Sequence, residues 1–171
     1  MAAVAGVDVG AFRQGYWAHR PAFDLGGEPE PYWSAVAGRP VGEAEAARLD
    51  HLDAASWSHP DPATLALVER LIAGGREVAL LSNAPAGLAA AIDRLPWMEP
   101  VRRRFYSCRL KVVKPDPRAW WAVLEQLGAA PADALFVDDR PVNVAGAERV
   151  GIRSVRFTSA EEVALRLLRS P

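Results

Sequence analysis

The alternation of short apolar strands with helices after residue 60 constrains the fold of this chain more than any other feature. The predicted strands are 77–81, 104–108, 134–137 and 154–157. The predicted helices are 62–73, 87–95, 117–127, 142–150 and a last one that begins after Ser159. Strands that alternate with helices at this spacing form a mostly parallel sheet with helices on both faces. We therefore predict an α/β fold.

The first 58 residues lack strand signals and are rich in aromatic residues, proline and glycine. Phe12 and Tyr16 lie four residues apart, which places them on one face of a helix. We predict a small helical cap over residues 1–58 and an α/β core over residues 59–171. We also expect the tryptophan and tyrosine side chains of the cap to form its core rather than to stack on a substrate. These side chains are Tyr16, Trp17, Tyr32, Trp33 and Trp57.

The composition argues against several classes of partner. A net charge of −1 over 171 residues gives no electrostatic basis for binding nucleic acid or an anionic membrane surface. The longest apolar runs are far shorter than the ~20 residues that a membrane span needs, and residues 1–8 lack the pattern of a signal peptide. The single cysteine, Cys108, excludes an internal disulfide and fits a reducing compartment. We expect a cytoplasmic location.

Polar residues occupy three positions where a predicted strand leads into a helix. Ser82 and Asn83 follow the first strand of the core, Lys114 precedes a helix that begins with proline, and Asp138 and Asp139 follow a buried strand. Ligands of open α/β sheets bind at the carboxyl ends of the strands. A helix cap explains one aspartate at such a strand end, but not two. The aspartate pair therefore indicates a divalent cation or a phosphate-handling site.

Taken together, these stretches resemble the motifs of the haloacid dehalogenase-like (HAD) superfamily. Leu80-Leu-Ser-Asn83 resembles its second motif, Lys114-Pro-Asp-Pro117 its third, and Val137-Asp-Asp-Arg-Pro-Val-Asn143 its fourth. The resemblance covers residues 60–160, and the aromatic stretch before them resembles the helical cap of the same family. It implies a Rossmannoid parallel sheet with a small N-terminal helical cap. Asn143 stands where many relatives carry another acid, which implies that it orders the loop.

The resemblance also implies a role for each polar residue. Mg²⁺ would be held by Asp138 and Asp139, and phosphoryl oxygens by Ser82, Asn83 and Lys114. Lys114, Ser82 and Asp139 would be the catalytic residues, in a reaction that passes through an aspartyl-phosphate. The substrate would be a small phosphorylated metabolite.

The first strand of the family, which ends in the nucleophilic aspartate, has no clear counterpart. The nearest candidate is a remnant strand over residues 2–8 with Asp8 as the nucleophile. We favour a loop that precedes the first cap helix, because Ala5 and Gly6 make a poor central strand. The strands at 77–81 and 134–137 would then each have an unpaired edge.

Three other arrangements remain open for this gap. The two strands could close up directly, or another chain could supply a strand, which would favour a homodimer. The chain could also begin inside a longer protein and lack the preceding segment.

These observations leave three functions open. The first is Mg²⁺-dependent phosphatase chemistry on a small phosphoester, which the Asp138-Asp139 pair favours. The dehalogenase branch of the family instead uses its aspartate on carbon without a metal and needs no second acid in the fourth motif. The third is a non-catalytic binding or scaffold protein that has kept the phosphate and metal pockets with a degenerate active site.

Overall fold

The computed structural model describes residues 1–168. Its helices are α1 (Ala2–Ala5), α2 (Val9–Asp24), α3 (Pro29–Ala37), α4 (Glu43–Trp57), α5 (Pro62–Ala73), α6 (Ala86–Ile92), α7 (Ser107–Leu110), α8 (Pro117–Leu127), α9 (Pro141–Arg149) and α10 (Ala160–Leu168). Its strands are β1 (Ala79–Ser82), β2 (Arg103–Tyr106), β3 (Leu135–Asp138) and β4 (Arg153–Arg156). Within residues 1–168, no helix combines the length and the apolar character needed to cross a membrane.

Local sequence signals place the ends of several helices. Asp61 and Asp116 cap α5 and α8, where their carboxylates accept hydrogen bonds from Thr64 N and Arg118 N, and a proline follows each aspartate. Gly128 ends α8 in a left-handed conformation with φ of 65°. The predicted helix over residues 117–127 is therefore confirmed at both ends.

The predicted strands are confirmed in place, with ends that shift by one or two residues. The strand predicted for residues 104–108 stops at Tyr106. Ser107 and Cys108 instead begin the short helix α7 and are buried, so the last part of that prediction is wrong.

The described chain divides into two compact units. The first contains Met1–His59, Ser82–Glu99 and Tyr106–Val113, and the second contains Pro60–Leu81, Pro100–Phe105 and the chain from Lys114 onward. The first division falls between His59 and Pro60, one residue after the end predicted for the cap. Two later segments, however, group with the helical N-terminal part rather than with the core.

An aromatic core holds the helices of the first unit together. Phe23 stacks on Tyr32 with ring centroids 4.0 Å apart, and Trp33 lies edge-on to Tyr32 at 4.7 Å. Of the five tryptophan and tyrosine residues expected in this core, Tyr16, Tyr32 and Trp33 are buried, and Trp17 and Trp57 are 52% and 50% exposed. The expected core position is confirmed for the three buried residues and wrong for the two exposed ones.

A buried polar network lies beside this aromatic core. The Arg20 guanidinium donates to Asp24 at 2.7 Å and to Asp53 at 3.0 Å, and it also donates to the Tyr16 hydroxyl. Tyr16 in turn donates to Asp53 Oδ1 at 2.6 Å. Burial, followed by the hydrogen bond to Asp53, raises the pKa of Tyr16 above its ordinary value. The carboxylates of Asp24 and Asp53 are thus both paired with the buried Arg20 guanidinium.

The second unit contains a parallel strand pair that is covered on both faces. β3 and β4 run parallel, with Phe136 opposite Ser154 and Val137 opposite Val155. Since successive side chains of a strand point to opposite faces, Phe136 and Val155 lie on different sides. Phe136 packs with core residues of α8 and α9, whereas Val155 packs with core residues of α5 and α10. The prediction of an α/β fold with parallel strands and helices on both faces is confirmed.

The position of the missing strand is not taken by the N-terminus. Residues 2–5 form helix α1, which Gly6 ends with φ of 67°. The Asp8 carboxylate caps α2 by accepting from Gly10 N at 2.8 Å and from Ala11 N at 3.2 Å. The remnant strand considered for residues 2–8 is therefore wrong, because the alanines there have high helix propensity. In the described residues β1 pairs with β2 and β3 with β4, so β1 and β3 have not closed up on each other.

Candidate functional site

A buried lysine–aspartate pair lies at the carboxyl end of β3. Lys114 Nζ is 2.7 Å from Asp138 Oδ2 and also donates to the carbonyl oxygen of Leu81 at 2.7 Å. The two side chains are 9% and 6% exposed. A charged pair this deeply buried is strongly destabilised when one partner is lost. The lysine side chain therefore connects the ends of β1 and β3, two strands that are not paired with each other.

The Asp138 carboxylate is held by three donors. Besides Lys114 on Oδ2, its Oδ1 accepts from Arg140 N at 2.9 Å and from Asn143 Nδ2 at 2.9 Å. The orientation of the Asn143 amide follows from this bond, since a carboxylate accepts and only the nitrogen donates. The other amide atom, Asn143 Oδ1, is buried without a hydrogen-bond partner among the described residues. An acceptor in that state suits a water molecule or a cation beside Asp138.

Aromatic side chains pack beside the Lys114 ammonium group. Lys114 Nζ lies 5.4 Å from the centroid of the Phe136 ring, and the Trp120 ring packs edge-on against Phe136 at 5.5 Å. Gly146 of α9 leaves room for the Trp120 ring, because a Cβ at position 146 would lie 2.5 Å from Trp120 Cη2. Packing of α8 and α9 against β3 thus sets the position of the ammonium group.

The other predicted site residues lie at or directly after the carboxyl ends of β1 and β3. Asp139 follows Asp138 and is exposed, so its carboxylate faces solvent. Ser82 ends β1, and Asn83 is half-buried in the loop before α6. Leu81, which accepts from Lys114, immediately precedes Ser82. Both Ser82 and Asn83 group with the first unit.

A buried serine that we did not predict anchors the loop after β1. The Ser107 hydroxyl accepts from Ala84 N at 2.9 Å and donates to the Asp24 carbonyl oxygen at 2.5 Å. These bonds tie the segment that follows Asn83 to the end of α2. The sequence carries only a local signal for Ser107, which is a polar residue directly after the aromatic pair Phe105-Tyr106 that ends β2.

The donor set at β3 suits a hard cation such as Mg²⁺. No group of three or more His, Cys, Asp or Glu residues within residues 1–168 forms a closed metal cage. Mg²⁺ does not need one, since it is usually bound through one or two carboxylates together with water and substrate phosphates. Asp138, Asp139 and the unpartnered Asn143 Oδ1 offer only oxygen ligands, which fits that preference.

Curated relatives match part of the chain. Flavin mononucleotide hydrolase 1 of Arabidopsis thaliana is 33% identical over 98 residues, which are 57% of this chain and 40% of that protein. Phosphoglycolate phosphatase of Rhodospirillum rubrum is 35% identical over 92 residues, which are 53% of this chain and 38% of that protein. The chain thus spans about two fifths of the length of these relatives.

Solved structures of similar fold match nearly the whole chain. A HAD family enzyme of Bacteroides thetaiotaomicron, in complex with magnesium and inorganic phosphate, superposes with a TM-score of 0.69 at 20% identity and covers 95% of this chain and 92% of that one. L-2-haloacid dehalogenase of Xanthobacter autotrophicus, with chloropropionic acid covalently bound, gives a TM-score of 0.65 at 22% identity, over 94% of this chain and 69% of that one. At these identities the likeness shows the fold.

Residues 12–151 match the family profile of haloacid dehalogenase-like hydrolases. This match covers most of the chain and contains the Lys114–Asp138 pair, the Ser82-Asn83 loop and most of the helical N-terminal part. The chain belongs to the haloacid dehalogenase-like hydrolase family.

Proposed function

We propose that this chain is a phosphatase-type hydrolase that acts on a small phosphoester with Mg²⁺. The observation that carries the proposal is the buried contact of 2.7 Å between Lys114 Nζ and Asp138 Oδ2. It places a cation beside a carboxylate at the strand end where α/β proteins bind ligands. The relatives named as a flavin mononucleotide hydrolase and a phosphoglycolate phosphatase support phosphoester chemistry.

The residues of the proposed site have three roles: charge neutralisation, metal binding and hydrogen bonding to the phosphoryl group. Lys114 offsets the negative charge of the phosphoryl group and holds Asp138 in place. Asp138, Asp139 and Asn143 Oδ1 offer the oxygen ligands for Mg²⁺, which when bound stabilises charge on the phosphoryl oxygens and orients them. The Ser82 hydroxyl donates a hydrogen bond to a phosphoryl oxygen, and the amide of Asn83 donates another.

These residues bind the phosphoryl group and neutralise its charge, and the nucleophile of an aspartyl-phosphate reaction is a further aspartate. Of the four strands in residues 1–168, only β3 ends in an aspartate. Asp8 caps a helix instead of following a strand. This observation favours a second candidate function, a non-catalytic HAD-like protein that binds Mg²⁺ or a phosphorylated ligand without turning it over.

Hydrolysis of p-nitrophenyl phosphate with Mg²⁺ tests the two candidates. For the phosphatase we expect turnover that EDTA abolishes and that Asp138→Asn reduces by at least about 100-fold, the scale of losing one preorganised electrostatic group. Asp133→Asn is the matched control, because Asp133 is an exposed aspartate outside the site. Asp8→Asn is also expected to leave turnover unchanged, since asparagine caps a helix as well as aspartate does. Loss of turnover in Asp8→Asn would show that Asp8 is the nucleophile after all.

Calorimetric titration with Mg²⁺ and with inorganic phosphate distinguishes the binding protein from an unrelated function. Binding that Asp138→Asn abolishes, in a chain without turnover, supports the binding protein. Absence of both binding and turnover refutes both candidates. Release of chloride from 2-chloropropionate without a metal would assign the chain to dehalogenase chemistry, the activity named for a relative that is 31% identical over 101 residues, from Burkholderia cepacia.

A further inference from the structure

An open, largely apolar pocket of about 260 Å³ is lined by residues of the first unit. Its lining residues are Met1, Phe12, Arg13, Tyr16, Ser56 and Trp57. Phe12 and Tyr16 are one helical turn apart on α2 with ring centroids 6.1 Å apart, and Trp57 ends α4. The volume lies just below the ~300–1,000 Å³ of pockets for drug-sized ligands, so it suits a molecule of one or two rings.

The hydroxyl groups of the pocket walls already have hydrogen-bond partners within the chain. The Tyr16 hydroxyl donates to Asp53 and accepts from Trp57 Nε1 at 3.0 Å. The Ser56 hydroxyl donates to the Asp53 carbonyl oxygen at 2.7 Å. The walls therefore present mainly ring and hydrocarbon surface to a ligand. Trp57 is half exposed, so part of its ring surface is still accessible.

Arg13 supplies the one cationic side chain of the described pocket lining. It is exposed, and within residues 1–168 it forms no ion pair with an acidic side chain. The buried Asp53 carboxylate is paired with Arg20 at 3.0 Å. A guanidinium beside aromatic walls selects for a planar ligand that carries negative charge.

We propose that this pocket binds a small aromatic anion. The ring packs against Phe12, Tyr16 and Trp57, and the anionic group, whether carboxylate, sulfonate or phosphate, pairs with Arg13. The pocket residues lie on α2 and α4, except for Met1, which precedes α1. None of them belongs to the Lys114–Asp138 site. Ligand binding there is independent of Mg²⁺.

Calorimetric titration of the full chain in EDTA tests the proposal with three probes. Naphthalene-1-sulfonate carries both a ring and a charge, 1-naphthol carries the ring alone, and methanesulfonate carries the charge alone. We expect naphthalene-1-sulfonate to bind with one site per chain and at least about tenfold more tightly than either partial probe. Equal affinity for all three, or no binding of naphthalene-1-sulfonate, would refute the proposal.

Two variants locate the site. Arg13→Gln should weaken naphthalene-1-sulfonate about tenfold without changing the affinity for 1-naphthol. Ser56→Phe, which places a ring in the pocket, should abolish binding of both. The matched control is Arg149→Gln, an exposed arginine of α9. Unchanged binding in both Arg13→Gln and Ser56→Phe would place the ligand elsewhere and overturn the proposal.

One further variant separates this site from the proposed phosphoryl-transfer site. Asp138→Asn removes a carboxylate of that site and should leave naphthalene-1-sulfonate binding unchanged. Loss of binding in this variant would refute an independent pocket. Failure of the phosphatase assay alone has no bearing on these titrations, which require neither turnover nor a metal.

Discussion

Removing the Lys114 ammonium should destabilise the fold as well as the proposed site. In Lys114→Met the Asp138 carboxylate, with a side chain only 6% exposed, loses its counter-charge. Breaking a buried pair from one side costs about 3–5 kcal/mol, which lowers the melting temperature of a chain of this length by roughly 10 °C. Urea denaturation at pH 7, followed by circular dichroism, measures the change in the free energy of unfolding.

A double-mutant cycle shows whether the pair itself is responsible. Asp138→Asn alone leaves a buried ammonium, whereas the double variant with Lys114→Met leaves neither charge. We expect a coupling free energy of about 2–3 kcal/mol, so that the double variant loses less stability than the two single variants together. Arg118→Met is the control, because Arg118 pairs with Asp116 at the surface and should show little effect. Additivity of the two single variants within about 0.5 kcal/mol would refute the reasoning.

Three further predictions concern packing and protonation. Gly146→Ala should destabilise the chain by about 1–3 kcal/mol in urea denaturation, because its Cβ would collide with the Trp120 ring; an unchanged midpoint would contradict the close packing. Burial raises the pKa of Asp50, so the folded state keeps this proton to higher pH than the unfolded chain and loses stability as pH rises through the folded pKa. Asp50→Asn keeps an acceptor for Trp33 Nε1 and should have a larger free energy of unfolding than the native chain at pH 7. The difference between the two should narrow as pH falls toward ~4; a difference that is constant with pH would contradict this assignment. Burial also raises the pKa of the Cys108 thiol, which should react with Ellman's reagent only after unfolding; rapid labelling of the folded chain would show that this side chain is accessible.

The sequence predicts the elements of this fold well because their signals are local. Asp61 and Asp116, each followed by proline, determine where α5 and α8 begin, and a hydrogen bond over two or three residues is sufficient for that. The error at residues 107–108 has another cause. Ser107 and Cys108 are buried, as strand residues often are, and burial alone does not distinguish a strand from a short buried helix.

The sequence alone determined the order of Ser82, Lys114 and Asp138 along the chain and their places beside strands. Only the tertiary structure showed that Lys114 contacts Asp138, 24 residues away, that residues 2–5 form a helix, and that β1 and β3 are not paired with each other. It also showed that Trp57 contributes to a pocket and not to the core, although its aromatic character is the same as that of Trp33. The physical reason is range: caps and periodicity act over one helical turn, whereas pairing and burial depend on which distant residues the packed core brings together.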